Sequence, residues 1–146
     1  MAIRVRGVEE HDRDAWLGLF RDYIAFYGAS VPDEVVELTW TRLVCNAPDM
    51  IGLVAVGDDG RPVGLAILIL HRSSWSASWY CYLEDLYVDP VARGQGVGRL
   101  LVEAVYRVAD ERGATRTYWV TEEDNATARA LYDRIATRVP FVQYRR

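Results

Sequence analysis

The stretch Val88–Leu101, VDPVARGQGVGRLL, places Gly94, Gly96 and Gly98 at every second position, between an apolar, strand-like run and a helix-like run. No other part of the chain restricts its fold as much. Glycine packs nothing and costs helix stability. Three in register demand an unusual backbone or room for something brought close to the main chain. A strand that enters a glycine turn and leaves as a helix also aims amides outward where the helix dipole favours negative charge. The loop is therefore a candidate anion cradle, made by the amides of Arg93 through Arg99. The bland alternative, a tight turn with no ligand, needs one glycine rather than three.

Two familiar phosphate loops do not fit. A P-loop needs Lys-Ser/Thr after its last glycine, and here Gly98 is followed by Arg99 and Leu100. A dinucleotide fingerprint needs G-x-G-x-x-G, and counting from Gly94 the last position is Arg99.

The rest of the chain reads as β-α-α-β-β-β-loop-α-β-α-β. Ile3–Arg6 alternates as a short strand. A helix begins near Glu9, with Trp16, Leu19, Phe20, Tyr23, Ile24 and Tyr27 at helical spacing and Gly28 as its stop. Pro32 and acidic residues open a second helix. Two apolar runs around Asp58, Asp59 and Gly60 form a hairpin. Trp79–Val88 is an aromatic-rich strand, and Gly113 ends the helix that begins near Gly98. Thr115–Thr121 is a further strand. Asn125–Ala136 is a helix with Asn125 as N-cap, and PFVQY, 140–144, is a last strand. Antiparallel strands followed by a βαβ unit imply one mixed α/β (α+β) domain over residues 1–146, with a mostly antiparallel central sheet flanked by helices.

Half of the 146 residues are hydrophobic, enough for a real core, and the net charge is -4. That balance argues against a nucleic-acid partner and mildly favours a cationic one. Cys45 and Cys81 lack metal-ligand spacing and read as reduced core residues; His11 and His71 are isolated, so no metal is expected. The charged N-terminus lacks an apolar leader, and the run VGLAILIL is too short to span a membrane. A cytoplasmic protein without a membrane partner is expected.

RGQGVG, Arg93–Gly98, has the form Arg/Gln-x-x-Gly-x-Gly/Ala. With YLEDLYVDPVARGQGVGRLL and EDNATARALYDR at their separation, and with the order of elements, the chain resembles the GNAT (GCN5-related N-acetyltransferase) superfamily. YLEDLYV resembles the diamine (spermidine/spermine-type) acetyltransferases in particular. The resemblance implies the GNAT acyl-coenzyme A N-acyltransferase fold and acetyl-coenzyme A as cofactor. Its pyrophosphate would lie on Arg93, Gly94, Gln95, Gly96, Val97, Gly98 and Arg99, and its pantetheine arm along Leu86 and Val88. A backbone amide near Leu86 or Tyr87 would be the oxyanion donor. Asn125 would bond the pantetheine arm, cap its helix, or both. Tyr132, two helical turns after Asn125, would be the general acid at the leaving sulfur; its bland reading is core packing beside Leu131.

Glu84 and Asp85 are the acidic pair at the strand. In a regular strand they face opposite ways, although a bulge would change which one faces the cleft. Glu84 would share a face with Tyr82, Leu86 and Val88, which makes it the candidate base and amine ligand, with Asp85 orienting the substrate. A structural carboxylate pair is the alternative. The expected function is acetyl transfer from acetyl-coenzyme A, in a ternary complex, to a primary amine of a cationic acceptor, a polyamine or other small amine. The alternatives are a protein-lysine (histone-type) acetyltransferase and a non-catalytic acyl-coenzyme A sensor. The family's GF pair and closing hairpin are not matched in TRVPFVQYRR, so a sheet edge is left for another subunit, and a homodimer is expected.

Overall fold

Near-continuous apolar runs make the central strands, as expected for strands covered on both faces. The computed structural model describes residues 2–146. Its elements are β1 (Arg4–Gly7), α1 (Arg13–Phe26), α2 (Asp33–Val44), β2 (Met50–Val56), β3 (Pro62–His71), β4 (Trp79–Val88), α3 (Val97–Glu111), β5 (Ala114–Tyr118) and α4 (Ala126–Ile135). One sheet holds the five strands in sequence order, antiparallel from β1 to β4, with β5 parallel to β4. This is the mixed, mostly antiparallel sheet expected above.

Two cores sandwich the sheet. On one face α3 buries Val97, Leu101, Val102, Val105 and Ala109 at helical spacing against Ala66, Leu68, Cys81 and Leu83. Gly64 lets α3 come close, since a Cβ there would lie 3.1 Å from Leu101 Cδ1 and from the Tyr87 carbonyl. On the other face α1 and α2 bury Trp16, Phe20, Val36 and Trp40 against Val54, Leu65, Ile67 and Tyr87.

The end of the chain departs from the sequence reading. β5 stops at Tyr118 rather than Thr121. PFVQY forms no strand; the chain after Ile135 has no helix or strand, and Phe141 and Tyr144 are 85% and 92% exposed. A strand needs a partner for its ladder, and among the described residues no other strand lies beyond β5. Cys81 is in the core as expected, but Cys45 is exposed, because it follows the last turn of α2 rather than lying on its inward face.

The entry to α1 is held by a buried carboxylate. Asp12 accepts from Arg6 through both guanidinium arms, at 2.7 and 3.0 Å, and from the Glu9 amide at 2.8 Å. Its side chain is wholly buried. Burial would push its carboxyl up, but the Arg6 fork and the Glu9 amide together hold it below the usual range. A lowered folded value stabilises at neutral pH, and that contribution is lost as pH falls through the folded value. Asp12→Ala would strand the Arg6 charge and cost about 3 kcal/mol. Denaturant unfolding at pH 7 reads this, and a cost below about 1 kcal/mol would remove Asp12 from the supports of α1.

Candidate active site

The site begins with an irregularity in β4. Ile67 of β3 pairs with Asp85, but its neighbour Leu68 pairs with Leu83, so Glu84 is left over as a bulge. Before the bulge Cys81 and Leu83 face α3; after it Leu86 and Val88 do. Tyr82 and Asp85 stand opposite Ile69 and Ile67, on the side of α1 and α2. This corrects the regular-strand expectation for Glu84: Tyr82 lies on the opposite face from Leu86 and Val88, and Glu84 shares a continuous face with neither set. Glu84 is exposed and Asp85 partly buried.

β4 and β5 pair only as far as Tyr82 and Tyr118. Beyond that rung the strands diverge, and β4 from Leu83 to Val88 has no partner on its β5 side. Alternate amides of this segment face the gap. A cleft opens there, lined by Glu84 and Leu86 from β4, Tyr23 and Tyr27 from α1, Trp119 and Thr121 after β5, and Tyr132 from α4. Its enclosed part is small, about 30 Å³, room for about one water. Tyr132 packs edge-on to Trp119, with ring centroids 5.3 Å apart. Burial, with Tyr27 nearby, pushes its hydroxyl up to about 12. Burial also pushes the Asp85 carboxyl up to about 6; the Tyr23 hydroxyl pulls it down by hydrogen bonding, and the Glu84 charge raises it again.

The glycine loop lies at the start of α3. Gly94 and Gly96 have φ of 78° and 76°, the left-handed region that glycine adopts without penalty. A Cβ on either would meet nothing within 4 Å, so backbone conformation, rather than a crowding protein atom, demands these two glycines. Gly98 lies in the first turn of α3 and faces Leu131 of α4, whose Cδ2 would be 3.5 Å from a Cβ. Leu100 is the first amide after the loop to find a main-chain acceptor, the Gly96 carbonyl at 3.1 Å; those of Gly94 through Arg99 have none among the described residues. An open cradle of unpaired amides at the positive end of a fifteen-residue helix fits a phosphate group.

The remaining expected residues are placed around these features. The Arg93 side chain does not enter the cradle: it bonds the Val88 carbonyl at 3.1 Å and lies over Phe26 and Tyr87. Arg99 pairs with Glu103 one turn on, at 2.9 Å. Gln95 is exposed at the loop tip, and the Val97 side chain is core. Asn125 caps α4, its Oδ1 accepting from Ala128, and its amide donates to Thr121 at 3.3 Å. Tyr23 and Tyr27 of the first helix, which the resemblance places among residues that border the acceptor side while packing explains most of them, line the cleft. Their signal was the tyrosine spacing on α1, which looks the same for packing.

The sequence profile of the acetyltransferase (GNAT) family matches residues 16–136. The chain belongs to the GNAT family. This acetyltransferase is 37% identical over 99% of its length to the D-amino-acid N-acetyltransferase HPA3 of Saccharomyces cerevisiae, spanning 90% of that protein. It is 32% identical to a thialysine N-epsilon-acetyltransferase of Caenorhabditis elegans, over 58% of this chain and 51% of that one. The fold of AAC(6')-Iy, solved with a coenzyme A bisubstrate analogue, superposes with a TM-score of 0.80 over 99% of both chains at 20% identity. The GNAT acetyltransferase is therefore an acetyl-coenzyme A-dependent enzyme of a family that acetylates amines.

Gly96→Val should test the cradle. The left-handed backbone makes the change cost about 1–2 kcal/mol in stability, while the added side chain would fill space that is open at the loop. Coenzyme A affinity by calorimetry should fall at least tenfold with the fold retained; unchanged affinity would place the pyrophosphate elsewhere.

Proposed function

We propose that this enzyme acetylates a primary amine of a small, cationic acceptor in a ternary complex, with Tyr132 as general acid and the Glu84–Asp85 pair receiving the amine. The observation that carries the reading is the cleft itself, where Tyr132, Glu84 and Leu86 converge at the divergence of β4 and β5. The cofactor cradle is the loop from Gly94 to Arg99, the Arg93 amide being bonded to the Pro90 carbonyl, with Leu86, Val88 and Asn125 along the path toward the cleft. When bound, acetyl-coenzyme A supplies the thioester carbonyl and the leaving sulfur.

Each residue has a task suited to its surroundings. Tyr132, like any tyrosine, carries its proton at neutral pH, as a donor to the departing sulfur must, and burial raises its hydroxyl further, to about 12. Glu84, exposed on the bulge, meets the incoming ammonium. Asp85, held near 6 beside the cleft-lining Tyr23, is suited to take a proton at neutral pH. This reverses the order of preference that strand alternation suggested. An unpaired amide of β4 past Leu83 serves as the oxyanion donor.

The relatives support a small acceptor. One is named for D-amino acids and one for thialysine. A protein lysine remains the second reading and an acyl-coenzyme A sensor the third; the retained Tyr132 speaks against the sensor. The exposed unpaired thiol of Cys45 suits a reducing compartment, so we place the enzyme in the cytoplasm.

One kinetic series tests the chemistry, with thiol release from acetyl-coenzyme A as readout. Tyr132→Phe should lower kcat about 100-fold with the KM for acetyl-coenzyme A nearly unchanged. Full activity would take Tyr132 out of the mechanism. In the wild type kcat/KM should rise with pH through an apparent pKa near 6, because Asp85 must be ionised to accept a proton. Asp85→Asn should abolish that limb, and a limb that persists would return the base role to Glu84.

The reading includes a homodimer. The outer edge of β5 is unpaired, and Val139, Phe141, Val142 and Tyr144 stand exposed in a segment with no strand or helix. Covering both with a second copy would remove an edge and an apolar segment from water. Light scattering should show a dimer that removal of residues 137–146 dissociates. A wild-type monomer at micromolar concentration would exclude it.

A further inference from the structure

Arg93 opens the glycine loop, yet its charge meets no carboxylate. Arg6, Arg13 and Arg99 have carboxylate partners; Arg93 is exposed and has none among the described residues. Its Nε donates instead to the Val88 carbonyl, at the end of β4. Its guanidinium carbon lies 5.7 Å from the centroid of the Phe26 ring and 5.6 Å from that of Tyr87. A planar fork fixed by one hydrogen bond can lie over aromatic rings in this way.

The two rings belong to different elements. Tyr87 is on β4 and buried, whereas Phe26 is in the last turn of α1 and exposed. Tyr87 meets Tyr23 at 5.8 Å between centroids, Tyr23 meets Tyr27 at 5.3 Å, and Tyr27 meets Phe26 at 5.2 Å. Arg93 therefore closes a circuit of four aromatic rings. Two of the four, Tyr23 and Tyr27, line the cleft. Burial does not hold this end of the helix. The buried residues of α1 stop at Phe20, and neither Phe26 nor Tyr27 belongs to the core beneath it. What fastens the last turn of α1 to β4 is the ring circuit and the guanidinium that completes it.

Resting on the amine-acetylation reading above, we propose that Arg93 is a positioning residue for the acceptor, tying the last turn of α1 to the end of β4 and so setting where Tyr23 and Tyr27 stand in the cleft. The loop divides its labour. The amides of Gly94 through Arg99 are open to an anion, while the side chain that precedes them serves the acceptor wall. A lysine at this position would keep the charge, but it lacks the planar fork that bonds a carbonyl while lying over two rings.

Arg93→Lys and Arg93→Gln test this in the full chain. Coenzyme A affinity by calorimetry should stay within about twofold of the wild type in both, since no loop amide is altered. Ring signals of Tyr23 and Tyr27, read by NMR without an acceptor, should move in both variants, while those of Tyr118, outside the circuit, should not. With spermidine as the probe amine and thiol release as readout, both variants should raise the KM for the amine about tenfold, with the smaller part of the loss in kcat. A tenfold loss of coenzyme A affinity would make Arg93 a cofactor ligand and overturn the proposal. So would Tyr23 and Tyr27 signals at their wild-type positions, an unchanged KM for the amine, or a lysine variant that behaves as the wild type. The ring signals and the coenzyme A affinity need no turnover. If spermidine is not acetylated they still decide the role of Arg93, and the amine reading is then judged on other acceptors.

Discussion

One surplus residue in β4 decides which chemistry each side of the sheet can reach. Because side chains alternate along a strand, the bulge at Glu84 exchanges the faces of everything after it. Leu86 and Val88 then join the apolar face under α3, while Asp85 is delivered to Tyr23 on the opposite side. Without the bulge Asp85 would be pressed into the α3 core, where an ionised carboxylate has no partner. The same region is where β5 parts from β4. Bulge and divergence together leave one strand with unpaired main chain, two carboxylates of different exposure and a wall for the cleft.

The two ends of the βαβ unit solve separate problems. At the start of α3 the need is positive charge without side chains, met by amides that two left-handed glycines turn outward. At α4 the proposed need is a protonated hydroxyl, which Tyr132 has at neutral pH, and its ring is held against Trp119. Gly98 joins the two, since Leu131 of α4 lies against it on the first turn of α3. Backbone conformation accounts for the first two of the loop's glycines; neither conformation nor a crowding protein atom requires the third.

Much of this was legible along the chain because the signals are local. Gly28, Gly113 and the Asn125 cap each depend on a few neighbouring residues, and each falls where the spacing placed it. The glycine loop was legible for the same reason. Register was not: the bulge at Glu84 depends on how β3 meets β4, and nothing in YLEDLYV marks the surplus residue. A hydrogen bond between His71 and Tyr118 joins residues 47 apart, with no pattern linking them. PFVQY misled because strand propensity describes what a segment fits, and a segment with that fit still needs a neighbouring strand.

The helices that carry the two halves of the site are anchored very unequally. Val97, Leu101, Val102 and Val105 root α3 in the core, whereas α4 has no fully buried residue. Regions with few buried apolar contacts open at lower free energy than the molecule as a whole. α4 therefore belongs to the first cooperative unit to come loose, and the anion cradle to one of the last. On the proposed reading, the partly opened form would keep the glycine loop that receives the cofactor and lose the tyrosine that completes the transfer.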